Sequence, residues 1–516
     1  MKNIYISAIL ISLLALTSCQ DELTTEPIGG QTQEQANSKP TLKSVETSVT
    51  SSYDMLSNKL NQLANWDWNG GLVFQNDIII DDLASDDMEK KWAPDGDQPW
   101  MDEINNFTFT STNGGPNGLW KYDYEGIKRT NIALNFLLNP DIESITGITP
   151  ERKNQLLGEA YFLRSYYYFS LVTNFGDVPL ILSPIKTYQE AFDKAVRAPK
   201  EAVWSQIKTD LEKAKTLLPN SKYSSEKEPW RVSKGAVITL LAKTALYNKD
   251  WSGVISLVSE LQATGFYSLN ANYFDNFNMN TEYTDNEVIF SYNHVKQADP
   301  RRGNGICAPL GWGFFVPSND FLASFEPNDP RKLYTVNVPE QWINKLLGTT
   351  NGGNKGDDDA PNNKVFFRYA DVLLWKAEAL NETGGYSDAI AIINQIRARA
   401  RNTVTTVTSI TQDPNFPDNP AKTISVTTVG PPPPAGTLLD RPNSGDKATI
   451  KGWLISERRA ELGFENQRMP DLKRWGIAKE VMNAHGKNFQ DKHMLYPIPQ
   501  SEIDASAGLL TQNPGY

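Results

Sequence analysis

Apolar positions in this chain recur mostly three and four residues apart, the period of a helix buried along one face. That pattern predicts helices over 45–63, 120–138, 151–174, 201–218 and 233–262. Pro150 opens the third of these, and Phe175-Gly176-Asp177-Val178-Pro179 closes it. Pro219 stops the fourth. Ser233 is a fitting N-cap for the fifth, which turns at Lys249-Asp250 and resumes at Trp251. Period-two alternation is scarce, with a short strand expected at 287–292. Three stretches break the helical rhythm: 65–112, 265–363 and 402–447, all irregular and rich in Gly, Asn, Asp or Pro. Loops of such length inside a compact domain are usually functional. The last holds prolines at 431–434 and reads as surface decoration.

One helical unit occurs twice. Ala245-Leu246, Trp251 and Val254-Ile255 match Ala379-Leu380, Tyr386 and Ala389-Ile390, with one residue inserted. Small residues where helices cross, an aromatic after the turn and then an apolar pair are the marks of a tetratricopeptide helix–turn–helix. The helices at 120–174 are a candidate third unit. Near the end, 457–476 reads ERRAELGFENQRMPDLKRWG: a helix, an expected break at Pro470, and a second short helix. Glu461, Glu465, Arg468, Asp471 and Arg474 follow at helical spacing. Such density fits a charged active centre or a satisfied polar seam between packed helices.

Composition narrows the class. The chain has 516 residues, 39% hydrophobic and 22% charged, as in ordinary soluble proteins. The net charge of −11 and the lack of a basic run argue against nucleic acid. Two cysteines (Cys19, Cys307) and three histidines exclude Cys-based zinc sites and a disulfide framework, and no metal or cofactor is expected. Asp357-Asp358-Asp359 lacks the alternating ligands of a calcium loop and reads as a solvated acidic loop. There is no phosphate-cradling glycine motif and no G-x-S-x-G elbow. Paired carboxylates for glycoside hydrolysis are a spatial feature and stay open.

The N-terminus carries an apolar run at 4–16, too short for the ~20 residues of a membrane span but suited to a signal peptide. It ends Leu16-Thr17-Ser18-Cys19, which resembles a bacterial lipobox. The expected processing removes 1–18 and attaches lipid to Cys19. Gln20-Asp21-Glu22 resembles the surface-export signal of Bacteroidetes lipoproteins. Residues 19–44 then form a flexible tether, and 45–516 the folded domain. Cys307 is left as a buried small hydrophobe.

A set of motifs carries a family resemblance. It comprises Tyr124-Glu125-Gly126-Ile127, Ala160-Tyr161-Phe162-Leu163-Arg164-Ser165, Phe367-Arg368-Tyr369-Ala370-Asp371, Glu457-Arg458-Arg459-Ala460-Glu461-Leu462 and Asp471-Leu472-Lys473-Arg474-Trp475-Gly476, with the tail YPIPQSEID…TQNPGY. In this order, behind a lipobox, they resemble the SusD/RagB family of Bacteroidetes nutrient-binding lipoproteins across nearly the whole mature chain. The resemblance implies an all-α fold, with tetratricopeptide-type helix pairs packed against an irregular, loop-rich ligand-binding region. It implies glycan as the ligand, no catalysis, an outer-membrane lipid anchor and a SusC-like TonB-dependent transporter as partner. Two alternatives stay open: a lipid-anchored glycoside hydrolase, and a scaffold that binds a peptide or protein only.

Sugars are held by flat aromatic faces and by planar polar side chains that meet hydroxyls. Six of the thirteen tryptophans (Trp120, Trp204, Trp251, Trp375, Trp453, Trp475) fall in helical patterns and are expected in the core. The other seven fall in irregular polar segments: Trp66, Trp68, Trp92, Trp100, Trp230, Trp312 and Trp342. The family's stacking aromatics lie before the second helix and in the middle insertion, which selects Trp92, Trp100 and Trp312. Tyr292 and Trp68 come next. Asp86, Asp87, Asn76, Arg301 and Arg302 are the candidate hydroxyl partners. The repeats upstream and the Pro-rich tail downstream favour the seam reading of 457–476.

Overall fold

The structure, a computed structural model, describes residues 40–63, 65–91, 93, 96–403, 406–412, 423–429 and 432–516. The expected signal peptide, Cys19, most of the expected tether and Trp92 lie outside the described residues. The fold is helical, as expected. Its principal helices are α1 Leu42–Tyr53, α2 Pro99–Asn106, α3 Gly114–Leu137, α4 Pro150–Phe175, α5 Lys200–Leu217, α6 Lys234–Tyr247, α7 Trp251–Ala263, α8 Tyr369–Thr383, α9 Tyr386–Asn402, α10 Lys447–Leu462 and α11 Arg468–Arg474. Each long helix packs on its neighbour in turn: α1 on α3, α3 on α4, α4 on α5, α5 on α6, α6 on α7, α7 on α8 and α8 on α9. Stacked antiparallel pairs of this kind make a continuous wall with a shared core. The repeated units are the pairs α6–α7 and α8–α9, and α3–α4 supplies the third. Among the described residues no helix is long and apolar enough to cross a membrane.

Local chemistry explains where elements start and stop, and where expectation needs correction. The first helix begins at Leu42, inside the expected tether, because Thr41 and Ser44 form a reciprocal capping box. It ends at Tyr53, not 63. A 3-10 turn, Asp54–Leu56, follows, and Ser57 is already extended at ψ 154°, so the helix is broken there. Leu60 and Leu63 still pack on the core, from a loop. The stretch 65–112 is not wholly irregular: it holds a π-helical turn, Ile78–Leu83, and α2, which starts on Pro99.

The expected strand at 287–292 is β1 Val288–Tyr292, and it pairs antiparallel with β2 Lys364–Arg368. The two strands close the middle insertion at its base. Within the third insertion, Thr406–Gln412 and Thr423–Val429 pair as a hairpin. Trp120 and Trp375 are buried, and the other four helical tryptophans are half-buried against the wall. Cys307 is buried and free.

The break near the C-terminus falls before Pro470. Phe464 (φ +62°) and Asn466 (φ +59°) turn the chain. Pro470 sits in the first turn of α11, where its missing N–H has no helical partner to lose. The surrounding charges form a buried polar seam. Glu461 is fully buried and accepts from Arg368 Nη1 at 2.8 Å, from Arg331 Nη1 at 3.1 Å, and from Arg399. Glu457 joins Arg331 (2.6 Å) to Arg397 (3.1 Å), and Arg458 bridges Asp371 (2.7 Å) and Asp471 (2.6 Å). The charges pair with one another, although Arg399 Nε and Arg458 Nη2 stay without an acceptor among the described residues, and they tie α8, α9 and α10 to the base of the middle insertion.

Candidate functional site

The tryptophans at 68 and 312 come from different insertions and meet at one surface. Their ring centroids are 6.0 Å apart with planes tilted by 54°. Phe314 stands edge-on to both, at 6.4 Å from Trp68 and 6.0 Å from Trp312. Trp312 is 50% exposed, while Trp68 is half-buried and braced from below by Phe74 at 6.2 Å. Trp66, two residues away along the loop, is 61% exposed.

Glycine chemistry places Trp312. It ends a short helix, Cys307–Trp312, which Gly313 caps at φ +85°. A Cβ on Gly311 would fall 2.4 Å from the backbone N of Gly356. Only glycine lets the 352–357 loop lie that close, and Gly356 N then donates to the Cys307 carbonyl at 2.9 Å. The indole between these glycines is left facing outward.

A clasp joins the two insertions. Met88–Glu89 pairs antiparallel with Val316–Pro317, Ser318 N donates to the Asp87 carbonyl at 2.8 Å, and Ser318 Oγ to the Asp86 carbonyl at 2.6 Å. On the other side Gly305 N donates to the Asn58 carbonyl at 3.1 Å.

Arg301, in the same insertion as Trp312, is half exposed. It donates to Asp358 at 2.5 Å and reaches Asp359 at 3.2 Å. The expected solvated acidic loop is solvated only in part: Asp358 is half exposed and paired, and Asp359 is buried. Asp357 pairs with Lys296 at 2.5 Å, and buried Asp359 accepts from Gln297 N at 2.8 Å and Gly303 N at 3.1 Å.

Other candidates belong to the interior. Trp100 is 5% exposed within α2, and its Nε1 donates to Gln98 Oε1 at 2.8 Å, so its faces are sealed from any ligand. Tyr292 is buried, with its hydroxyl 3.4 Å from Asp54 Oδ1. Asn76 is buried and donates to the Gly71, Gly114 and Gly115 carbonyls. Half-buried Arg302 sits 3.5 Å from the Asn293 carbonyl.

Asp86 and Asp87 are buried and face arginines, not solvent. Asp86 accepts two bonds of 2.7 Å from Arg468, and Asp87 one of 2.7 Å from Arg459. Burial pushes both carboxyls up. The Arg468 fork overcomes this and holds Asp86 below the usual carboxylate range, whereas burial wins at Asp87, which lies above it. Asp86, Asp320 and His485 lie close enough to suggest a metal, but Arg459 already bonds Asp320 at 2.7 Å and Asp86 at 3.0 Å, so the acceptors are taken. Accordingly, Arg468→Ala is expected to lower stability by about 3 kcal/mol, leaving Asp86 buried with less compensation, and to leave ligand affinity at the tryptophan surface within about twofold. Urea unfolding and a binding titration on one preparation check both halves. A folded variant that loses its ligand would overturn this.

Trp66 is an exposed tryptophan that sequence reasoning passed over as a site residue. The available signal was its place in the same polar segment as Trp68.

Stacked helix pairs carrying an aromatic-tipped loop surface define a helical-repeat ligand-binding scaffold. The chain belongs to the SusD family: residues 259–516 match that family, and residues 34–246 match one described as starch-binding associating with the outer membrane. SusD-like protein P38 of Formosa agariphila is 27% identical over 546 aligned residues, covering 96% of each chain. SusD-like protein P2 of the same organism is 26% identical over 463, covering 80% of this chain and 83% of its own. Among solved structures, a laminarin-binding SusD-like protein superimposes with TM-score 0.70 at 22% identity, covering 92% of this chain and all of its own. Surface glycan-binding protein A from Bacteroides thetaiotaomicron, in complex with laminarihexaose, superimposes with TM-score 0.69 at 22% identity, covering 92% and 99%. These structural likenesses establish a shared fold.

Proposed function

We propose that this chain is a surface glycan-binding lipoprotein. It captures oligo- or polysaccharide on the Trp68–Trp312 platform and passes it to a SusC-like TonB-dependent transporter. The observation that carries this reading is the convergence of two tryptophans from separate insertions on one exposed surface. Tilted indoles about one sugar ring apart offer C–H faces a stacking surface, and a buried-core explanation does not account for a half-exposed Trp312. Trp66 extends the platform, and Arg301 is the nearby hydroxyl partner. Trp92 is kept as a further stacking residue from the family resemblance. Lipid on Cys19 would hold the domain at the outer face of the outer membrane, and the chain would bind without turnover. The glycan-binding relatives by name support the ligand class.

Purified protein run through gels containing a panel of glycans is expected to be retarded by at least one polysaccharide while releasing no new reducing ends. New reducing ends would make it a lipid-anchored hydrolase. No retardation by any glycan, with a transporter co-purifying from detergent extracts, would make it a protein-binding scaffold.

A further inference from the structure

A second site lies away from the tryptophan platform. Between α4, α6, α11 and the turn Ile78–Leu83 is a cleft of 440 Å³, within the roughly 300–1,000 Å³ range of small-molecule sites. Tyr166, Phe169, Tyr247 and Phe366 supply aromatic walls. Ser170, Thr173, Asn174 and Gln467 supply hydroxyls and amides.

Most charged groups of the lining are committed to protein partners. Asp77 pairs with Lys364 at 2.5 Å, Glu465 with Lys345 at 2.7 Å and Arg368 at 2.6 Å, and Arg474 with Glu378 at 2.5 Å. Three lysines are not: Lys200 is exposed at the start of α5, and Lys243 and Lys473 are half-buried. Lys473 Nζ is sealed from solvent and has no hydrogen-bond acceptor among the described residues; its neighbour is the Tyr496 ring at 4.1 Å. Lys243 Nζ has a single long contact, 3.4 Å to Gln467 Oε1, among rings of Phe169, Phe367 and Trp375. The remaining carboxyl, Asp81, bonds neither lysine. Burial pushes it up to about 8 and Asp77 adds repulsion, while Lys243 and Lys473 draw it down. Burial draws Lys473 down to about 7.

The cleft therefore has surplus donors and a shortage of acceptors. Buried ammonium groups without acceptors are costly, and an anion supplies what they lack. Aromatic walls beside hydroxyl and amide partners suit a ring that carries hydroxyls.

We propose that this cleft binds a small hydroxylated anion of the sugar-acid class, its carboxylate received by Lys473 and Lys243 and its ring faced by Tyr166 and Phe366. This does not depend on the tryptophan platform.

The test is calorimetric titration of the mature chain with sodium glucuronate, glucose and inorganic phosphate. Glucuronate is expected to bind, with glucose and phosphate each at least about tenfold weaker. Lys473→Met and Lys243→Met are each expected to weaken glucuronate at least about tenfold, their melting curves showing that they fold. No glucuronate binding by the wild-type chain at millimolar concentration would overturn the proposal and leave a water-filled cleft. So would equal binding of glucose or phosphate, or undiminished glucuronate binding by both variants.

Discussion

Trp312→Ala is expected to weaken glycan binding at least about tenfold, which is ~1.4 kcal/mol, while moving the melting temperature by no more than about 3 °C. The two halves follow from one geometry. One face of the indole is free, so truncation removes a stacking surface whose burial by a sugar is favourable at about 25 cal/mol per Å². The other side meets the rings of Trp68, tilted, and Phe314, edge-on, contacts of about 0.5–1.5 kcal/mol each. Trp68→Ala should weaken binding as well, with a larger stability cost, because that ring also packs on Phe74. Affinity electrophoresis against the retained glycan and a thermal melt are the measurements. Unchanged affinity in Trp312→Ala would remove the platform assignment.

The largest stability effect is expected at Glu461. Glu461→Ala should cost about 3–5 kcal/mol, the range for removing one partner of a buried ion pair. The loss takes one carboxylate from three buried guanidiniums at once, leaving Arg331 on Asp329 and Glu457, Arg368 on Glu287 and Glu465, and Arg399 on Glu287 alone. Burial pushes the Glu461 carboxyl up, but Arg399, Arg368 and Arg331 outweigh it and hold it far below the usual range. A carboxyl with a depressed folded pKa stabilises above its unfolded value, about 4.3, and loses that contribution as pH falls toward the folded value. The stability gap between wild type and Glu461→Ala should therefore be full at pH 7 and shrink below about pH 4. Urea midpoints of both proteins at pH 7, 5 and 3.5 check this. A gap that stays constant down to pH 3.5 would show that packing, not the ionised carboxylate, carries the effect.

The helical wall was legible in the sequence because each of its faces repeats a local period. Helix ends were legible where caps are local, as at Ser233 and Pro150. They were not at Tyr53 or before Pro470, where backbone turns at 54–57, Phe464 and Asn466 override an unbroken apolar period. The site was legible only in part. Trp68 and Trp312 were recognisable as aromatics in polar loops, but their meeting depends on a clasp between distant segments. Trp100 looked equivalent, yet Pro99 starts a helix that turns the ring inward. Asp86 and Asp87 looked like free loop carboxylates because their partners, Arg468 and Arg459, lie 382 and 372 residues away. Charge pairing over such separations has no signature in spacing.

The clasp between Met88–Glu89 and Val316–Pro317, with Ser318 on the Asp86 and Asp87 carbonyls, makes the two insertions a single exchangeable cassette. Transplanting one tryptophan loop onto a related helical wall would carry a ring without its counterpart. Moving recognition between scaffolds calls for both loops, the clasp, and the arginines from α10 and α11 that anchor it.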